Sequence, residues 1–170
     1  MRRKVLVIDT SMLCVWLEVA GMETCGSDAD RWDKSRIDSL ITNEIGNGAT
    51  LVLPMATIIE TGNHIAHVHG DRYDVVHRLC DIMEMAADEQ SPWAAFTQQS
   101  KLWEKEGLKT LAQRWREHGI AGQSIGDASI AEVADFCAKM PNHSVEILTG
   151  DAGLKAFEPV ATVVPRRRMG

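Results

Sequence analysis

Four carboxylates stand at positions where chemistry can be done with them. Asp9 closes the apolar run Val5-Leu6-Val7-Ile8, and Asp151 follows Leu148-Thr149-Gly150. Glu60 falls among Ile58, Ile59 and Met55, and Asp127 follows Gly126 and precedes Ala128, Ile130 and Ala131. A carboxylate among apolar neighbours is costly unless it is paired or metal-bound. Four that converge repel one another and raise each other's pKa. A divalent cation removes that penalty, and an all-oxygen donor set suits Mg²⁺ or Mn²⁺. The plainer reading is local. An Asp after a strand often serves a turn or a helix N-cap, and Asp9, Asp127 and Asp151 can each do so. Glu60 has no such role to fall back on.

The histidines offer a rival site. His64, His67, His69 and His77 follow Glu60, and Glu60 with His64 forms an i, i+4 pair on one helix face. That spacing suits Zn²⁺ or Mn²⁺. No H-E-x-x-H is present, and a solvated helix end carrying cations near its C-terminus explains the same residues.

The elements that must position these groups alternate. Short β-branched runs predict strands over 4–8, 49–53, 145–148 and 160–164. Apolar residues at helical spacing predict helices over 11–19, 33–45, 56–68, 71–87 and 125–140, with a helical turn over 151–157. Residues 21–30 read as a polar loop. Ser91-Pro92 reads as an N-cap with Pro at the first helical position, opening a helical hairpin over 93–106 and 108–117 broken at Gly107. Strands separated by helices imply a parallel sheet covered on both faces, which binds ligands at the carboxyl ends of its strands. Asp9 and Asp151 both fall at that edge.

The bulk properties are those of one soluble domain. The chain has 170 residues, 45% hydrophobic and 25% charged, enough apolar material for a core. Its net charge of −6 excludes a simple basic nucleic-acid binder, though not a nuclease whose acidic cluster is screened by metal. Arg2, Arg3 and Lys4 near one end, with Arg166, Arg167 and Arg168 near the other, form two basic clusters. They meet if both terminal strands join one sheet, and otherwise form solvated tails. Cys14, Cys25, Cys80 and Cys137 form no C-x-x-C pair and read as reduced thiols. The apolar run after Lys4 is too short for a signal peptide, and no stretch approaches the roughly 20 apolar residues of a membrane span. A cytoplasmic protein is expected. Trp93, Phe96, Trp103 and Trp115 read as core or interface rather than base-stacking platforms.

Val-Leu-Val-Ile-Asp-Thr-Ser (5–11), Leu-Pro-Met-Ala-Thr-Ile-Ile-Glu-Thr-Gly-Asn (53–63), Gly-Asp-Ala-Ser-Ile-Ala-Glu-Val-Ala (126–134) and Ile-Leu-Thr-Gly-Asp-Ala-Gly-Leu (147–154) occur in that order. Together they resemble a PIN domain, the metal-dependent nuclease family that includes VapC-like toxins. The resemblance implies a single domain over 1–170 with a three-layer α/β/α fold, a central parallel sheet of about four strands and a helical insertion at 88–122. It places the acidic pattern on Asp9, Glu60, Asp127 and Asp151, and supporting polar positions on Thr10, Ser11, Asn63 and Thr149. It implies cleavage of RNA, with DNA as the other candidate, using Mg²⁺ or Mn²⁺, and a homodimer that pairs with an antitoxin. The 88–122 segment is longer than a minimal toxin of this family needs.

Two other functions fit parts of the chain. A phosphatase with Asp9 as nucleophile wants a second Asp two residues on, and position 11 is Ser. A PIN-like scaffold for protein binding has no reason to keep four costly carboxylates.

Overall fold

The computed structural model describes residues 2–94 and 96–160. The chain runs β1 (Arg3–Ile8), α1 (Thr10–Trp16), β2 (Thr24–Ser27), β3 (Asp30–Asp33), α2 (Lys34–Gly46), β4 (Thr50–Val52), α3 (Met55–Ala66) and α4 (Tyr73–Ala87). A 3-10 segment (Phe96–Trp103) leads into α5 (Lys105–His118), a 3-10 turn (Gly119–Ala121), α6 (Ile125–Ala138), β5 (His143–Leu148) and α7 (Ala152–Lys155).

The central sheet is parallel, in the order β4-β1-β5. Successive side chains of a strand point to opposite faces, so β1 divides the core in two. Leu6 and Ile8, with Leu51, Leu53 and Leu148, pack against Leu13 of α1, Ile37 and Ile41 of α2 and Leu79 of α4. Val5 and Val7, with Val52 and Ile147, pack against Ile130, Val133 and Ala134 of α6 and Leu154 of α7. Each large apolar side chain buried this way contributes about 1.5–3 kcal/mol. Helices therefore cover both faces, as the alternation of elements requires.

Three expectations change. The central sheet has three strands among the described residues rather than about four. The expected strand over 160–164 lies outside the described residues except for Val160, which is exposed, and Arg166, Arg167 and Arg168 lie outside them too. Second, the polar stretch after α1 contains an antiparallel hairpin, β2–β3, in which only Trp32 is buried. A ribbon with one apolar side chain leaves no alternation to read. Third, Ser91-Pro92 opens no helix. Pro92 and Ala94 bond the backbone of Leu51, so Trp93 lies beside β4, buried. Gly107 falls in the first turn of α5 and so begins a helix rather than breaking a hairpin. Trp103 and Trp115 are partly exposed, and the Phe96 side chain lies outside the described part of the structure.

Cys14 and Cys137 are buried, Cys25 is half-buried and Cys80 is exposed, and all four are free thiols. Burial pushes Cys14 and Cys137 up to about 11, which makes them poor nucleophiles. Among the described residues no helix is long and apolar enough to cross a membrane.

Candidate active site

Asp9 leaves the carboxyl end of β1 and caps α1, its Oδ1 accepting from Thr10 N at 2.6 Å. Its other oxygen accepts from Ser11 Oγ and from Thr149 Oγ1, each at 2.7 Å. Asp9 is only 5% exposed. Three donors explain how a carboxylate survives at that depth.

Glu60 arrives on α3. Thr57, one turn earlier, donates to Ile8 O at 2.8 Å and so ties that helix to the end of β1. Thr10 Oγ1 then donates to Glu60 Oε2 at 2.6 Å, linking Glu60 to the residue after Asp9. The other side of this carboxylate lies on the backbone of α6. A Cβ on Gly126 would stand 1.9 Å from Glu60 Oε1, so glycine there leaves Glu60 this position, and a larger residue would push its carboxylate aside.

Asp127 sits in the first turn of α6, where Ser124 Oγ accepts from its N–H at 2.9 Å. Its carboxyl is held above the usual 3.8. Burial is the main cause, the charges of Asp9, Asp151 and Glu60 add to it, and hydrogen bonding with Ser124 works against it. That repulsion is the electrostatic signature of carboxylates brought together.

Asp151 follows β5 and caps α7, accepting from Gly153 N at 2.6 Å. Its own N–H donates to Thr149 Oγ1 at 3.0 Å. The capping role and the site role coexist, because only Oδ1 is used in the cap. Gly150 lets the β2–β3 hairpin close over this corner, since a Cβ there would meet Gly26 N at 2.7 Å.

All four carboxylates line one cleft of about 410 Å³, with Thr10, Ser11 and Asn63 beside them. Thr149 is buried behind Asp9. Met22 and His64 line the same cleft. Of the rival histidines, only His64 reaches it. His67 Nδ1 donates to Asn63 O at the end of α3, His69 is exposed, and the exposed His77 lies against Tyr73 with ring centroids 4.2 Å apart.

Among the described residues, no three His, Cys, Asp or Glu side chains stand together as a metal-holding group. Asp9, Glu60 and Asp151 are each turned toward their own hydrogen-bond donors. The donor set itself is carboxylate and hydroxyl oxygen, the chemistry that Mg²⁺ and Mn²⁺ prefer.

The basic residues near the N-terminus stand elsewhere. Arg3 and Lys4 begin β1 while Asp9 follows its other end, a separation of about 3.3 Å per residue along the strand. Lys4 is engaged by Glu44 at 2.5 Å and Glu146 at 2.7 Å.

Sequence reasoning missed Met22, Ser124 and the close packing at Gly126. Ser124 with Asp127 has the S-x-x-acid spacing of a helix start, which is legible. Met22 carries no signal, because it lies in a loop whose path depends on the hairpin. No family model matches this chain, and no curated protein or solved structure matches it.

Proposed function

We propose that this chain is a metal-dependent phosphodiesterase, an endoribonuclease of PIN-like architecture, working from the cleft between Asp9, Glu60, Asp127 and Asp151. One observation carries the reading. Four carboxylates from four separate stretches of chain line a single cleft, next to the carboxyl end of β1. The raised pKa of Asp127, caused first by burial, also carries the repulsion of the other three charges. A fold bears such a cost where the charges have work to do.

Asp9, Asp127, Asp151 and Glu60 would hold Mg²⁺ or Mn²⁺. When bound, the cation supplies water activation and neutralises charge on the phosphate. Thr10, Ser11 and Thr149 hold Asp9 and Glu60 in place, so their orientation is set before substrate arrives. The cleft is acidic and repels a polynucleotide until a cation is present. The same resemblance proposes a homodimer and a toxin role, and a small DNA-binding protein encoded just upstream, if found, would favour the toxin role.

The phosphatase reading fares worse. Both oxygens of Asp9 accept hydrogen bonds, and the residue two positions on is a hydroxyl that donates to it rather than a carboxylic acid.

Incubation of end-labelled RNA and DNA with the protein in Mn²⁺, Mg²⁺ or chelator tests the proposal. Internal cuts in RNA that require the cation support it. Cleavage undiminished by chelator, or none of either polymer with either metal, rejects it.

A further inference from the structure

A second cavity shares Asp127 and Asp151 with the acidic cleft. It encloses about 300 Å³, at the small end of the range for small-molecule sites, and Gln123, His118 and Phe157 line it. Both carboxylates also line the acidic cleft, so the two spaces meet at these residues.

Gln123 is the anomaly. Neither the oxygen nor the nitrogen of its side-chain amide has a hydrogen-bond partner, although both are closed off from solvent. Buried amides are nearly always paired, and leaving both ends unmade costs stability. The backbone around it is firmly set. Trp115 Nε1 donates to Gln123 O at 3.0 Å, and Gln123 N donates to His118 O at 3.2 Å. The backbone is thus held on both sides while the side-chain donor and acceptor stay unspent, and a turn about the side chain's own torsions would be needed to present them to the cavity that Gln123 lines. Beside it, His118 and Phe157 meet edge to face, centroids 4.8 Å apart at 71°.

An amide with a free donor and acceptor next to an aromatic pair matches the needs of a nucleobase. The base stacks on a ring and pairs its edge with the amide. We infer that this cavity is a nucleobase subsite, in which Gln123 reads the base next to the phosphate held at the carboxylate cleft. The inference rests on the nuclease reading for the class of ligand. The shared walls supply the geometry: a base lodged against Gln123 brings its attached phosphate toward Asp127 and Asp151.

The test is a nuclear magnetic resonance titration of the full chain with adenosine, guanosine, cytidine and uridine. These carry no phosphate, so binding depends neither on metal nor on cleavage. One nucleoside is expected to shift the Gln123 side-chain amide and the Phe157 ring signals more than the other three. Gln123→Leu is expected to lower affinity for that nucleoside by about tenfold and level the differences among the four. Phe157→Ala keeps the amide and is expected to weaken all four alike. Absence of those shifts with all four at millimolar concentration, or an unchanged preference in folded Gln123→Leu, overturns the subsite. Selective binding by a chain that cuts no labelled RNA in Mn²⁺ supports the subsite and overturns the nuclease reading. Cleavage without the shifts does the reverse.

Discussion

Thr149 Oγ1 donates to Asp9 Oδ2 across 2.7 Å, joining residues 140 positions apart in the chain. The same oxygen accepts the N–H of Asp151 at 3.0 Å. One hydroxyl therefore sets the spacing between the first and last carboxylates of the cleft. Thr149→Val keeps the shape and removes both bonds, leaving a buried carboxylate oxygen with one donor fewer. It is expected to cost about 1–3 kcal/mol in chemical denaturation and to weaken Mn²⁺ binding. Thr149→Ser restores the hydroxyl and is expected to recover most of both. Equal losses in Val and Ser would mean that packing, not the hydrogen bond, is what matters.

Gly126→Ala tests the contact between α6 and Glu60. The added methyl would overlap Glu60 Oε1, which lies at the free end of a side chain and can swing away. The expected result is a small change in melting temperature, within the roughly 1–3 kcal/mol of an overpacked site, with a much larger loss of cleavage. Unfolding of the variant, or full activity, would contradict this placement of Glu60.

Asp127→Asn is expected to stabilise the metal-free protein at neutral pH. The folded pKa of Asp127 is raised above 3.8, by burial first and by its carboxylate neighbours next. A raised pKa means that the group favours the fold when protonated. That contribution is present in acid, below the unfolded value, and is lost as pH rises through the folded value. The gain from Asn should therefore be present at about pH 7 and shrink as pH falls toward the unfolded pKa of about 3.9. Melting curves across that range check it. A gain independent of pH would deny the electrostatic cause.

Metal should reverse the repulsion. A cation that binds only the folded chain stabilises it by about 2.7 kcal/mol at one hundred times its Kd. Millimolar Mn²⁺ is expected to raise the melting temperature of the wild type and of His64→Ala, and to do so far less in Asp151→Asn. Loss of the shift in His64→Ala alone would move the metal to the histidine.

Much of this arrangement was legible because local patterns coincide with tertiary need. Val5 to Ile8 is apolar on every residue because both faces of β1 are covered, and Asp9 marks its end. Glu60 stood out because a charge among isoleucines needs a reason. The β2–β3 hairpin was not legible, since Thr24–Ser27 and Asp30–Asp33 bury little beyond Trp32. The segment Phe96–Trp103 carries aromatic spacing that suits either a 3-10 or an α-helix, and only its packing decides. The bond from Thr149 to Asp9 and the empty amide of Gln123 belong to tertiary structure alone, with no trace in spacing.

The most direct measurement of the central claim is the cleavage rate of single-stranded RNA in Mn²⁺ by the wild type and by Asp9→Asn, both shown to be folded. Asn keeps the side-chain shape and removes the charge most deeply set in the cleft. A loss of about a hundredfold or more is expected, with the fold unchanged. A folded Asp9→Asn that cuts at the wild-type rate would contradict it.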